Sequence, residues 1–295
     1  MIEQALYEHL QEQEHLLLPY LATYGEKMAI FNQEAPADSD DAWADGPQYG
    51  RIVFFVNLDG DPARTVGGTL TVDILCKKDE QFPEEIEPIL RNLIHGYFFS
   101  SYTSVVAAQW KSSIPFTGPE EEVTGCTVTF DLLAFPISNY APGVITQFNE
   151  WCATIDKIYV INRDPLPTAA WKPCNGESAV YWRALKEEPA SWIPTTFSTV
   201  WMSATVKGYI FSESPAKAAE VANDLKIRLY AIKRLKKDGV LLRAGESPIM
   251  VNHRNIVDNG ADPLRVGQLT VEATYGVIVH FEPVGTIHSI NYPRL

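Results

Sequence analysis

Ile30-Phe31-Asn32-Gln33-Glu34-Ala35-Pro36, running on to Ala42-Trp43, returns in altered form as Val160-Ile161-Asn162-Arg163-Asp164-Pro165-Leu166-Pro167, running on to Ala170-Trp171. Each copy follows an amphipathic stretch and precedes an aromatic strand pattern, Arg51-Ile52-Val53-Phe54-Phe55-Val56 in the first and Ala179-Val180-Tyr181-Trp182 in the second. Late in each half a long alternating run comes back, Val123–Ala134 and then Val266–Val277. The landmarks keep their order, which predicts two copies of one small domain.

Outward from these landmarks, hydrophobic spacing gives the elements. Leu6, Leu10, Leu17 and Leu21 predict a helix over 3–24, with Pro19 kinking it or ending it a turn early. Strands are expected at Lys27–Asn32, Arg51–Asn57 and Leu70–Cys76, followed by a helix over Pro83–Ser100 whose first turn is marked by Pro88. Val105–Lys111 and Val123–Phe135 complete the first half. The second half repeats the order: a helix around Val144–Ile155, then strands at Lys157–Asn162, Ala179–Arg183 and Thr199–Phe211. A helix over 215–237 and strands near Pro248–Ile256 and Val266–Phe281 close it. The expected fold is α+β, two tandem α-β-β-β-α-β-β units with mostly antiparallel sheets carrying helices on one face. The units span residues 1–140 and 141–295, the second ending in an extended tail.

Composition narrows the function. A hydrophobic fraction of 46% and an aromatic fraction of 11% supply cores for two domains rather than a disordered chain. No apolar run is long enough to span a bilayer, which takes about 20 residues, and Met1-Ile2-Glu3-Gln4 is not a secretion signal, so a soluble protein folding in the cytoplasm is expected. Cys76, Cys126, Cys152 and Cys174 lack C-x-x-C spacing and read as buried free thiols. A net charge of −13 argues against general binding to a nucleic-acid backbone.

Chemistry-bearing patterns are few. His9 and His15 are placed on the polar side of the first helix, and their spacing puts them on different faces. His253 and His280 fall on neighbouring predicted strands without partners to complete a tetrahedral metal set. Gly67-Gly68 enters a strand rather than a helix, so it is not a phosphate-binding loop, and Asp59-Gly60-Asp61 reads as a turn. No catalytic constellation, cofactor site or metal site follows, and a non-enzyme is expected. Two charged clusters remain. Glu34, Asp38, Asp40, Asp41 and Asp45 crowd one loop, while Lys226, Arg228, Lys233, Arg234, Lys236 and Lys237, with Arg243 nearby, crowd the end of the helix over 215–237. Positive charge there suits the helix dipole, and it also suits contact with the acidic loop of a neighbouring copy.

The first unit resembles the tail terminator, or tail-completion, proteins of long-tailed bacteriophages. The features that carry the resemblance are the opening helix Met1-Ile2-Glu3-Gln4-Ala5-Leu6, the acidic proline-containing loop, the strand Gly50–Val56, and Gly68-Thr69-Leu70-Thr71-Val72-Asp73-Ile74 with its helix and closing strand pair. They cover about residues 1–138; residues 143–282 join only through the repeat. The resemblance implies a ring, a homo-hexamer in preference to a trimer of duplicated chains. Such a ring caps the head-proximal end of the tail tube, stops its polymerisation and meets the neck or head connector, with sheath protein as a further neighbour in a contractile tail. It implies a place at the tail–neck junction of the virion. DNA passes through the ring without specific binding, and the acidic loop lies at the lumen or the subunit junction. Two other readings stand beside it: a neck or head–tail adaptor, and an enzyme or ligand-binding protein with its pocket between the two repeats.

Overall fold

The computed structural model describes residues 1–43, 48–58, 66–101, 104–118, 122–137, 140–194, 199–232, 234–235, 249–258 and 268–278. In the first half the elements are α1 (Ile2–Gln11), α2 (Glu14–Leu17), β1 (Thr23–Tyr24), β2 (Lys27–Met28), β3 (Ile30–Asn32), β4 (Arg51–Leu58), β5 (Val66–Lys77), α3 (Pro83–Ile94), β6 (Phe98–Ser100), β7 (Val105–Thr117) and β8 (Val123–Ala134). The second half supplies α4 (Pro142–Cys152), β9 (Ile158–Val160), β10 (Ala170–Trp171), β11 (Ser178–Pro189), β12 (Thr199–Ser212), α5 (Pro215–Ala231), β13 (Arg234–Leu235), β14 (Ile249–Asp258) and β15 (Leu269–Ile278). The fold is mixed helix and sheet, with sheet dominant.

Two sheets organise it. The first runs β10-β6-β7-β8-β5-β4-β3 and the second β13-β14-β15-β12-β11-β9. In each, a short strand pairs parallel to its neighbour, β3 to β4 and β9 to β11, and the remaining pairs are antiparallel. Period-two alternation decides what each sheet face meets. Phe54, Val72, Ile74, Val128 and Phe130 point into one core with Leu6 and Leu10 of α1 and Ile86 and Leu90 of α3. Val180, Trp182, Val206, Ile210 and Val271 point into a second with Phe148 of α4 and Leu225 and Leu229 of α5. The opposite faces of both sheets meet through a third core, where Phe98, Leu133 and Phe135 pack against Tyr181, Tyr209 and Phe211.

That third core is reinforced by a crossover. β10 belongs to the second half in sequence, yet it pairs with β6 in the first sheet. Trp171 is thereby held against Phe98, ring centroids 5.6 Å apart, and Ser100 donates its backbone N–H to the Ala169 carbonyl at 2.8 Å. Asn162 Nδ2 and the Tyr181 hydroxyl donate to the Phe135 and Pro136 carbonyls at 2.8 and 2.6 Å, tying the connecting chain down from the other side.

Several expected boundaries move. The first helix stops at Gln11 and resumes for one turn, Glu14–Leu17, before Pro19. Pro83, not Pro88, occupies the first turn of α3; Pro88 lies inside the helix, where it forfeits a backbone bond close to the N-terminus. That helix ends at Ile94 rather than Ser100, because Phe98–Ser100 is taken up as a strand by β7. The helix expected over 215–237 ends at Ala231, and Arg234–Leu235 pairs with β14. β6 and β13 are thus short strands absent from the expected order. Ala170–Trp171, the sequence counterpart of Ala42–Trp43, serves the other half's sheet instead of an acidic loop. Cys76, Cys126 and Cys152 are buried as expected, whereas Cys174 is exposed.

Candidate functional site

The acidic loop connects β3 to β4, and Trp43 anchors it. Trp43 is buried, its indole Nε1–H donates to the Ala37 carbonyl at 3.0 Å, and its ring meets Tyr24 and Phe31 edge-on at 5.0 and 5.7 Å. Two of the carboxylates work within this fold. Asp38 Oδ1 accepts from Arg51 Nη1 at 2.7 Å, with the Arg51 guanidinium lying over the rings of Tyr49 and Trp43 at 5.1 and 5.9 Å. Asp40 Oδ1 accepts from the Ala42 backbone N–H at 2.9 Å, the local turn chemistry typical of aspartate. Burial, reinforced by a hydrogen bond with Asp40, raises the Tyr24 phenol above its ordinary pKa. Glu34 and Asp41 are exposed and carry no ion pair with a described residue. Asp45 lies outside the described residues.

The basic cluster does not stay on one helix. Lys226 and Arg228 lie on α5, where Lys226 Nζ meets Asp258 Oδ2 at 3.2 Å and Arg228 Nε meets Asp224 Oδ2 at 2.7 Å. Both cations are thus answered within the chain. Arg234 sits on β13, and Lys233, Lys236, Lys237 and Arg243 lie outside the described residues, as does His280.

A cleft of about 460 Å³ opens where the two halves meet, between the α3–β6 turn, the chain after β10 and the start of α5. His95 Nδ1 accepts the Trp110 backbone N–H at 3.1 Å, which leaves the other ring nitrogen to carry the proton of the neutral imidazole. Burial, then the positive charges of Lys172 and Arg91, hold its pKa below the ordinary value. Lys172 Nζ donates to the His95 carbonyl at 2.9 Å and lies 5.4 Å from the Tyr97 ring centre; burial lowers its pKa too. Much of the remaining polar lining is engaged in folding. Ser214 Oγ caps α5 by accepting from Lys217 N at 3.2 Å. The Gln268 amide imitates a strand neighbour, accepting from Ile210 N at 2.9 Å and donating to Ile210 O at 2.6 Å. The cleft offers a half-buried ammonium and a neutral imidazole, groups suited to binding and orienting a small polar molecule.

His9 corrects another expectation. It is buried, not on the polar side of α1: Nε2 lies 2.8 Å from the Leu93 carbonyl, and its ring is 4.4 Å from Tyr97 and 5.9 Å from Phe99. It joins α1 to α3 and β6. His15 is exposed on α2.

No protein-family model, curated protein or solved structure matches the chain. Among the described residues, no helix is long and apolar enough to cross a membrane.

Proposed function

We propose that the chain is a structural assembly protein of a phage tail, a duplicated member of the tail-terminator kind. In this reading a homo-hexameric ring caps the head-proximal end of the tail tube, stops its polymerisation and joins the tail to the neck or head connector of the virion. The observation that supports it most is the common order of pairings in the two sheets, β3-β4-β5-β8-β7-β6 and β9-β11-β12-β15-β14-β13, each opened by a parallel pair. α1 and α3 pack on one sheet and α4 and α5 on the other. That is what tandem terminator-like units over 1–140 and 141–295 would give. The exposed carboxylates Glu34 and Asp41 suit a surface past which DNA slides, since like charge repels a phosphate backbone within about 8 Å at physiological salt. A hexamer is favoured because a six-fold tube presents six equivalent sites.

Negative-stain microscopy with mass photometry tests the reading, followed by titration of the protein into polymerising tail tube protein. Closed rings as wide as the tube, and tubes shortened in proportion to added protein, are expected. A protein that leaves tube length unchanged and binds the connector alone would instead be a neck adaptor. One observation favours a second reading, of ligand binding: the cleft at the junction of the halves with Lys172 and His95 at its wall. Thermal shift against a library of small anions and metabolites, repeated with Lys172→Met, checks it. A shift that vanishes in the variant supports a ligand site, and the absence of any shift removes it.

A further inference from the structure

Neutral groups fix Lys172 at the wall of the cleft between the halves. Its Nζ donates to the His95 carbonyl at 2.9 Å and lies 5.4 Å from the Tyr97 ring centre. Gly96, at φ +79°, leaves room for it: a Cβ there would lie 3.3 Å from Lys172 Cε and 3.6 Å from Nζ. Among the described residues no carboxylate forms an ion pair with Lys172. Burial lowers its pKa accordingly. A half-buried ammonium met only by neutral partners is costly, and an anion carried in by a ligand offsets that cost.

The rest of the cleft narrows which anion fits. His95 offers a second donor, its Nε2–H, because Nδ1 accepts from the Trp110 N–H at 3.1 Å. Buried Pro173, Ile210, Phe211, Ala218 and Ala222 give the cleft an apolar floor. α5 starts here, yet its first turn is no phosphate cradle. Pro215 has no N–H, the Lys217 N–H goes to Ser214 Oγ at 3.2 Å, and the Ala218 N–H goes to the Ser214 carbonyl at 3.0 Å. Glu213 and Asp258 line the same cleft and disfavour a second negative charge, although Lys226 answers Asp258 at 3.2 Å.

We propose that the cleft binds a small organic monocarboxylate with an apolar body. The Lys172 ammonium and the His95 Nε2–H take its two oxygens, and the apolar floor takes its body. This rests on the ligand-binding reading above and names the class of ligand. The volume of about 460 Å³ lies in the range of small-molecule sites.

Calorimetry and thermal shift on the full chain test it with three probes of similar shape: phenylacetate, neutral phenylacetamide and dianionic benzylphosphonate. Phenylacetate is expected to bind at least tenfold more tightly than the other two. Lys172→Met is expected to weaken phenylacetate about tenfold or more, the usual loss of a hydrogen bond to a charged group. Ala219→Phe fills the cleft from an exposed position on α5, away from Lys172, and is expected to abolish binding without moving the urea midpoint. An amide or phosphonate that binds as well as the acid overturns the proposal. So does phenylacetate affinity that survives Lys172→Met or Ala219→Phe. If phenylacetate fails while another compound gives a shift that depends on Lys172, the carboxylate class falls and the ligand-binding reading stands. If no compound raises Tm, both fall.

Discussion

A Cβ built on Gly208 would lie 2.5 Å from Cζ3 of Trp182, closer than real side chains approach. The indole fills that space because it is buried between β11, β12 and α4, its Nε1 3.1 Å from Cys152 Sγ and its ring 4.8 Å from Phe148. Gly208→Ala is therefore expected to destabilise the protein by about 1–3 kcal/mol in a urea titration, the usual result of overpacking. His9 gives a prediction in pH. Burial is the largest influence on it and lowers its pKa, outweighing the Leu93 carbonyl and Glu12, which raise it. Its folded-state pKa thus lies below the unfolded value near 6.5. The stability linked to its neutral form is present above pH 6.5 and is lost as pH falls through the folded value. His95 shifts the same way, so His9→Gln should flatten the fall in Tm between pH 7 and 5 only in part, and His9→Gln with His95→Gln further. An unchanged slope in the double variant would exclude both. The burial of His9 had a trace in sequence: Ile2, Ala5, Leu6, His9 and Leu10 form one helical stripe. Reading histidine as polar hid it, because what makes the site apolar is Tyr97 and Phe99, some ninety residues away.

Elements with strong periodicity were legible, and those made by a neighbour were not. The alternation of Leu70, Val72 and Ile74, and of Cys126, Val128, Phe130 and Leu132, predicts β5 and β8 and the face each buries. β6, β10 and β13 hold two or three residues each, too few for a pattern, and exist because another strand pairs with them. The same competition shortened α3 and α5. At the other end of α5 the local signal was complete, with Ser214 at the cap and Pro215 in the first turn. Ser214→Ala is expected to cost about 1 kcal/mol, and Ser214→Thr, which keeps the acceptor, less, both by chemical denaturation. Equal losses would show that the Lys217 N–H is satisfied in another way. Of the charged clusters, only the residue types were readable. That Asp38 and Asp40 build their own loop, and that Lys226 and Arg228 answer carboxylates in the chain, depends on which backbones lie alongside.

At the scale of the molecule, the third core and β10 make the halves depend on each other. Phe98 and Phe135 pack on Phe211 and Tyr181 with ring centroids 5.1 to 5.6 Å apart, so residues 1–140 alone would leave them uncovered. Urea unfolding is expected to be one transition, coincident when followed by probes placed in either half. Trp171→Ala should lower its midpoint by an amount equivalent to about 3–5 kcal/mol, the usual loss for a buried tryptophan. Two separated transitions in the wild type would mean that the shared core contributes little. The sequence by itself determined the long alternating strands, the main helices and the positions of surplus charge, because these follow from backbone periodicity and residue type within short windows. Only the tertiary structure decided that Trp171 is lent to the other half's sheet, that the helix-free faces close on each other, and that a cleft opens where it does. Those outcomes rest on pairings between residues far apart in the chain, whose partners no local window contains.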